Sequence, residues 1–221
     1  MKSLARLLTV ITVLSAAAAP ARAQEKNDQA FRWYWGGEGG AFGYKTNLQG
    51  LYFDPVLGGH WLITARRTAL YVSYEQAFFL TAARASIPNV TPGNPDDTVT
   101  FSDMRRLMIG LVAFPAPKAI EPFFGGGFAL MEVLNPTVSC PSCSSSADLA
   151  NADQAAADAS SKAFFWFMAG LQINMGKLAL FGHYVGTSAA KGFLLDGSTH
   201  SIQGGIRYTF GTAKEGISED H

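Results

Sequence analysis

This 221-residue sequence has little charge and almost no cysteine, and neither sign of charge dominates. Charged residues make up 15% of the chain, with 17 basic against 17 acidic side chains, and no lysine- or arginine-rich run occurs. Because nucleic-acid binding needs a basic patch, that class of function is excluded. After residue 23 no apolar run reaches the roughly 20 residues that a membrane-spanning helix needs. The longest is AFFWFMAGL, from Ala163 to Leu171, so we expect no membrane helix there.

The abundant residue types favour β-structure. The chain contains 23 glycines, 16 phenylalanines, 7 tyrosines and 4 tryptophans. Glycine weakens helices, and aromatic side chains favour pleated surfaces. This composition argues against a helical bundle.

The first 23 residues have the pattern of a cleaved secretory signal. Lys2 and Arg6 precede an apolar stretch over 7–19, and the sequence ARA at 21–23 supplies the small residues of a cleavage site. The stretch is too short to cross a bilayer, so we favour a signal peptide over a transmembrane helix. We expect an exported mature chain that begins at Gln24.

Eight strand-like segments follow, each bounded by Pro, Asn, Asp or Ser. The connections between them alternate in predicted length, with 10, 5, 19, 5, 29, 3 and 11 residues. This alternation is typical of an outer-membrane barrel, whose extracellular loops are long and whose periplasmic turns are tight. The predicted segments are 31–44, 55–63, 69–79, 99–114, 120–133, 163–174, 178–187 and 199–210.

Apolar residues alternate with polar or small residues inside these segments, as expected for one face toward lipid and one toward a lumen. An open sheet edge in lipid would leave backbone groups unpaired, so the sheet must close. The prediction is an all-β fold, an eight-stranded antiparallel up-and-down transmembrane β-barrel over 24–211, followed by a short periplasmic tail over 212–221. Trp33 and Trp35 would form an aromatic girdle at the periplasmic rim, with a soluble core as the alternative.

Four stretches in the second half of the chain carry a family resemblance. They are EPFFGGGFALME, SKAFFWFMAGLQINM, FGHYVGTSA and THSIQGGIRYTFG. In this order they resemble the outer-membrane protein β-barrel family, the small eight-stranded barrels that include OmpX-like proteins and the transmembrane domain of OmpA-like proteins. Members have a closing strand that ends in an aromatic residue read by the barrel-assembly machinery, and Tyr208 and Phe210 match that signal. The residues after Phe210 depart from the pattern.

The resemblance implies residence in the cell outer membrane, with outer-membrane lipids and the barrel-assembly machinery as partners. An eight-stranded barrel has an interior just wide enough for side chains or one small ligand, which argues against a general diffusion pore. Six polar residues fall on the inward phase of the segments, with the histidines as the weaker candidates: Glu38, Glu75, Arg106, Arg207, His60 and His183.

Acids and bases enclosed in such a lumen are expected to pair, because an unpaired buried charge is heavily penalised. The first and last strands are neighbours in a closed barrel, so Arg207 is expected within ion-pair reach of Glu38. We favour a structural plug, and a conducting or proton-linked role for the same residues is the alternative.

Cys140 and Cys143, the only cysteines, lie in a long polar stretch where an exported protein is expected to form a local disulfide. A zinc site lacks further ligands nearby, and no thioredoxin-like pattern supports a redox role. Asp148, Asp153 and Asp158 recur in the same stretch, where we expect a solvated surface rather than a calcium site. No metal or cofactor is expected.

An enzyme is the third alternative, because some small outer-membrane barrels modify lipid A. Those resembling the lipid A deacylases carry a His-x-Ser-Asn motif, whereas His183 is followed by Tyr184 and Val185. The pair His200 and Ser201 would point to opposite faces of a strand. We therefore expect no enzymatic activity.

Two functions remain open from the sequence. The first is a structural or surface-interaction protein, whose long loops over 80–98 and 134–161 would meet an unidentified extracellular ligand. The second is a narrow transporter of small or hydrophobic solutes. A planar-bilayer conductance record would separate them.

Overall fold

A computed structural model describes residues 30–87, 96–116 and 119–214. The predicted signal peptide and most of the predicted tail lie outside the described residues. The elements are β1 (Ala30–Tyr44), β2 (Tyr52–Ala65), β3 (Thr68–Ser86), β4 (Thr98–Ala113), β5 (Ile120–Leu134), β6 (Thr137–Ser139), α1 (Ser146–Ala159), β7 (Ser161–Met175), β8 (Leu178–Thr187) and β9 (His200–Lys214).

Eight of these strands form a closed antiparallel barrel, which confirms the predicted fold class. Neighbouring strands follow the order β3-β2-β1-β9-β8-β7-β5-β4, and β3 also pairs with β4 to close the ring. The short β6 lies outside the ring and pairs with β4 over Thr98–Thr100.

The register shows how strongly the strands are staggered. We start at Arg106 on β4 and move from each residue to its register partner on the next strand. One circuit of the barrel made in this way ends at Glu121 on β5. The direct partner of Arg106 on β5 is Met131, ten residues further along that strand. A stagger of this size requires strands that are strongly tilted against the barrel axis.

Short and long connections lie at opposite ends of the barrel, as predicted. The turn between β2 and β3 consists of Arg66 and Arg67, and the turn between β7 and β8 consists of Gly176 and Lys177. Arg66 and Gly176 have φ angles of 56° and 68°, the left-handed backbone that tight hairpins use. We call this end periplasmic and the end with the long connections extracellular.

The two long loops contain more regular structure than predicted. β3 continues to Ser86, so the first part of the predicted loop 80–98 is strand. A register shift between Phe78 and Ala83 separates the two parts of the β3–β4 pairing. The predicted loop 134–161 contains β6 and α1.

The helix α1 has a local cause that the sequence analysis overlooked. The Ser145 hydroxyl accepts a hydrogen bond from the backbone N–H of Asp148, whose carboxylate accepts one from the backbone N–H of Ser145. This capping box starts the alanine-rich helix. Hydrogen bonding to Ser145 and Ser144 keeps the pKa of Asp148 below its ordinary value. Ala152 and Ala156, one turn apart, are buried.

The barrel wall has an apolar outside and a mixed inside. On β7, Phe165 and Phe167 are 64% and 55% exposed, whereas Trp166 and Met168 between them are buried. The same alternation continues through β8 and β9. A closed barrel with an exposed apolar wall is the structure that strands adopt in lipid.

Candidate functional site

The lumen is the site toward which the predicted polar residues converge, and all six of them are buried there. Nearer the extracellular end, the Arg106 Nη2 donates to Glu75 Oε2 at 2.6 Å and to Ser201 Oγ at 3.0 Å. Arg106 and Glu75 are direct cross-strand partners on β4 and β3. The guanidinium also stands 5.6 Å from the centre of the Phe42 ring. This ion pair is therefore a local contact between adjacent strands.

Nearer the periplasmic end, Arg207 is held without a direct carboxylate partner among the described residues. Its Nε donates to His60 Nε2 at 2.8 Å and its Nη1 donates to Gln172 Oε1 at 2.7 Å. The guanidinium lies 4.0 Å from the centre of the Phe181 ring and 5.0 Å from that of Phe123. Aromatic packing and neutral acceptors thus surround this buried cation.

Glu38 lies between the two arginine clusters. Its Oε2 is 3.1 Å from His60 Nδ1 and 3.8 Å from His183 Nε2. Its Oε1 accepts a hydrogen bond from the Tyr71 hydroxyl at 3.2 Å. His60 therefore links Glu38 to Arg207.

The expectation of a direct ion pair between Arg207 and Glu38 is wrong. Arg207 is the register partner of Gly36, which in turn is the partner of His60. A Cβ atom at Gly36 would stand 2.3 Å from the His60 ring. Because glycine leaves that space open, the imidazole occupies it and stands between the two charged groups.

Amide side chains complete the chain of contacts across the lumen. The Gln203 Nε2 donates to Glu75 Oε2 at 2.7 Å, and its Oε1 is 3.2 Å from His183 Nε2. At the other end, Gln172 Nε2 donates to Glu121 Oε2 at 2.7 Å. The result is one continuous polar network from Arg106 to Glu121.

Five members of the network were not among the predicted site residues: Tyr71, Glu121, Gln172, Ser201 and Gln203. The two glutamines stand on the inward phase that the alternation of β7 and β9 defines, so the same pattern could have found them. Tyr71 could not be recognised as a network member from the sequence, because a buried tyrosine is equally expected in an ordinary apolar core. Its hydroxyl reaches Glu38 only because the lumen is narrow.

The predicted girdle residues form an aromatic cluster on the outer wall near the periplasmic end. The ring centre of Trp61 lies 5.3 Å from that of Trp33 and 5.8 Å from that of Trp35. Phe210 stands 6.3 Å from Trp33, again between ring centres. Tyr208 is the register partner of Trp35 and is also exposed. The residues predicted as the closing-strand signal and those predicted as the girdle thus lie on one surface.

Three further expectations concern the termini and the long loop. β9 runs to Lys214, beyond the predicted boundary at residue 211. Cys140 and Cys143 are joined by a disulfide. Asp148, Asp153 and Asp158 belong to α1 rather than to an irregular loop. No group of three or more His, Cys, Asp or Glu side chains that could hold a metal occurs in the described ranges.

Apolar side chains from the connection between β8 and β9 are buried at the extracellular end. Leu194 and Leu195, from the connection between β8 and β9, are buried together with Phe193. The Leu194 N–H donates to the Ala159 carbonyl at the end of α1, and the Phe193 ring lies 5.1 Å from that of Phe164. We call the buried residues 193–195 and the buried alanines of α1 the extracellular cap.

Comparison with solved structures identifies the architecture. Neisserial surface protein A superposes with a TM-score of 0.56 at 11% sequence identity, over 80% of this chain and 97% of that one. The chain has the fold of a small outer-membrane β-barrel. Ail of Yersinia pestis matches over 82% of this chain and 99% of its own, at 12% identity and a TM-score of 0.42. OprG of Pseudomonas aeruginosa matches over 84% of this chain and 99% of its own, at 10% identity and a TM-score of 0.39.

No protein-family model and no curated protein sequence matches the chain. The described part contains no helix long and apolar enough to span a membrane. The exposed apolar wall of the barrel and its aromatic girdle agree with the predicted location in the outer membrane.

Proposed function

We propose that this barrel is a membrane anchor with a plugged lumen, which presents its extracellular loops for surface interaction. The observation that carries the proposal is the continuous polar network from Arg106 to Glu121, closed above by the extracellular cap. Arg106 and Arg207 are each only 1% exposed. Two large cations held by hydrogen bonds and aromatic rings leave little free cross-section in an eight-stranded barrel.

A planar-bilayer recording of the refolded barrel tests the plug. We expect no discrete conductance steps in concentrated KCl, with a general porin as the positive control for insertion and recording. Discrete steps in the wild type that grow in Gln203→Ala would contradict a plugged lumen. They would identify the polar network as the wall of a passage.

The ordered extracellular half supports the role in surface interaction. α1 is capped at Ser145, and its alanines are buried. The backbone N–H and hydroxyl of Ser142 donate to Asp97, which joins this loop to the end of the β3–β4 connection. A loop ordered in this way presents a fixed surface, which lowers the entropy cost of binding a partner.

Loop replacement tests the surface role separately from the plug. Residues 140–160 would be replaced by a short Gly-Ser linker, and the folded barrel would be verified by its heat-modifiable mobility in gels. We expect the variant to stay folded but to lose the binding of whole cells to an extracellular matrix surface. Equal binding by both forms would contradict a role for this loop.

A narrow transporter is the second candidate, favoured by incompletely satisfied polar atoms in the lumen. Within the described residues, Nε and Nη1 of Arg106 and Nδ1 of His183 are buried without a hydrogen-bond partner. Buried groups of this kind commonly bind water. Liposome swelling with small solutes would detect a passage that carries no ionic current.

A further inference from the structure

Three polar side chains form a hydrogen-bonded line on the outer wall, near the extracellular end. The Ser198 Oγ is 3.3 Å from His200 Nε2, and the Tyr184 hydroxyl is 2.5 Å from His200 Nδ1. The rings of Tyr184 and His200 stack at 5.9 Å between centres. We call Ser198, His200 and Tyr184 the outer-wall triad.

His200 and Ser201 lie on opposite faces of β9, as predicted. Ser201 points into the lumen, where its hydroxyl accepts from Arg106, so it cannot reach the imidazole on the other face. Ser198 precedes β9 and stands two residues before His200. The two-residue spacing returns the side chain to the same face of an extended chain.

The arrangement has the geometry of an activated nucleophile. In nucleophilic catalysis a hydroxyl lies within hydrogen-bond reach of a base, and a third group orients that base. Here His200 can donate its Nδ1–H to the Tyr184 oxygen, which leaves Nε2 free to accept the Ser198 proton. Ser198 is exposed, so an electrophile can approach its hydroxyl.

The height of the triad on the barrel matches the boundary between lipid tails and headgroups. His200 lies eight residues before Tyr208 of the girdle on the same strand. Eight residues span about 26 Å along a strand, or about 20 Å along the axis at the usual tilt, against an apolar band of roughly 25 Å. The triad therefore faces the outer leaflet near its upper boundary, where lipid acyl esters lie.

The surroundings of the imidazole on the outer wall are apolar, and an ion-paired lysine lies near Ser198. The register partners of His200 on the two neighbouring strands are Gly186 and Gly43, and the rings of Phe167 and Phe53 lie over these two glycines. Ile202, two residues further toward the periplasm, is 66% exposed and gives an acyl chain an apolar wall. A Cβ at Gly197, next to Ser198, would lie 3.5 Å from the Lys45 ammonium. The Lys45 ammonium is itself paired with Asp196, whose Oδ2 lies 2.9 Å away.

We propose that the outer-wall triad hydrolyses acyl esters of outer-leaflet lipids. The Ser198 oxygen attacks the ester carbonyl while its proton passes to His200 Nε2. The carbon–oxygen bond to the lipid alcohol breaks, and that alcohol takes the proton from His200. Water then attacks the acyl-serine, gives one proton to His200 and releases the fatty acid, and Ser198 recovers its proton. The cycle consumes one ester and one water.

The test uses the full-length barrel refolded in lipid and a fluorophosphonate probe, which labels activated serines. We expect labelling of Ser198 in the wild type and fatty-acid release from vesicles of phosphatidylethanolamine and phosphatidylglycerol or from vesicles containing lipopolysaccharide. Ser198→Ala should remove the labelling and reduce release by at least about 100-fold, because the nucleophile that forms the acyl intermediate is lost. The two vesicle types reveal which lipid supplies the ester.

Controls separate catalysis from structure. Ser102→Ala removes another exposed serine near the extracellular end of β4 and should leave labelling and release unchanged. Tyr184→Phe keeps the ring but removes the orienting oxygen, so it should slow labelling by about tenfold or more and change its pH profile. All variants must retain the heat-modifiable mobility of the folded barrel.

Three results would overturn the proposal. One is a wild type that neither reacts with the probe nor releases fatty acid. Another is equal labelling of Ser198→Ala, which would place the reactive group elsewhere. The third is labelling of Ser198 without release from either kind of vesicle, which would exclude lipid esters as substrates.

Discussion

Arg105 and Arg106 are consecutive on β4, yet they face opposite sides of the barrel wall. Each places its Nη2 2.6 Å from a glutamate oxygen, Arg105 from Glu132 outside and Arg106 from Glu75 inside. The exposed fractions of the side chains are 44% and 37% in the outer pair and 1% each in the inner pair. Separation alone therefore does not set the energy of an ion pair. Access to water determines what the loss of one partner costs.

The glycines show the same difference between the two faces. A Cβ at Gly205, on the lumen side, would lie 2.0 Å from the Gly37 carbonyl oxygen. A Cβ at Gly37, on the outer side, would meet no atom of the described residues within 4 Å. Inside the barrel, glycine is required by packing, whereas at this outer position packing within the chain does not require it.

The largest effect is expected for Glu75→Gln, which tests the inner ion pair. The substitution keeps the shape of the side chain but leaves Arg106 buried without its carboxylate. Breaking such a pair costs about 3 to 5 kcal/mol. Urea unfolding of the refolded barrel in detergent would measure the loss. Glu75→Leu combined with Arg106→Met should lose less than Glu75→Gln alone, because no charge is left unpaired; an equal or larger loss would show that packing dominates.

Arg207→Ala is expected to come next, at about 3 kcal/mol. This loss of unfolding free energy is at the lower end of the range for breaking a buried charge pair, because Glu38 keeps its contact with His60. Arg207→Lys should be milder, since a cation remains near His60 and Gln172. The same urea titration compares both variants. Small and equal losses in both would mean that water reaches Arg207, in conflict with its buried position.

Gly205→Ala and Gly37→Ala test the two faces with one identical change. At Gly205 the methyl group would meet the neighbouring backbone, and overpacking of this kind costs about 1 to 3 kcal/mol. At Gly37 the methyl group enters open space, and reduced freedom of the unfolded chain should stabilise the barrel by about 0.4 to 1 kcal/mol. The measurement is again urea unfolding. Losses of the same size at both positions would show that the outer wall is as crowded as the lumen.

Most of the barrel was predictable because strand alternation and loop length are local properties of the sequence. β8 has its predicted bounds, Leu178–Thr187, and the bounds of the other barrel strands differ from the predicted ones by at most a few residues except at β3. β3 was misjudged because its continuation to Ser86 depends on pairing with β4 after a register shift. α1 was missed because its alanines were interpreted as a solvated loop, although Ser145 and Asp148 already had the spacing of a cap.

For the site, the sequence predicts only which residues of each strand face the lumen. This prediction placed Glu75 and Arg106 inside, and their pairing follows from the register. The contact between Arg207 and His60 does not, because it depends on the space that Gly36 leaves open. The outer-wall triad depends on where Ser198 lies before β9 begins, which the sequence alternation does not specify.

Glu132→Gln, which removes the carboxylate of the outer ion pair on β4 and β5, is expected to have the smallest effect. Arg105 lies eight residues before Ala113 at the periplasmic end of the strand, which corresponds to about 20 Å along the axis. The outer pair therefore stands near the upper boundary of the apolar band, where headgroups and water reach it. We expect a loss smaller than that of any other charge substitution named above, and one that shrinks further with added salt, because exposed charges are screened. Urea unfolding at low and high salt measures it beside Glu75→Gln. If Glu132→Gln and Glu75→Gln lower the free energy of unfolding by the same amount, lipid must exclude water from the outer pair as fully as the lumen does from the inner one.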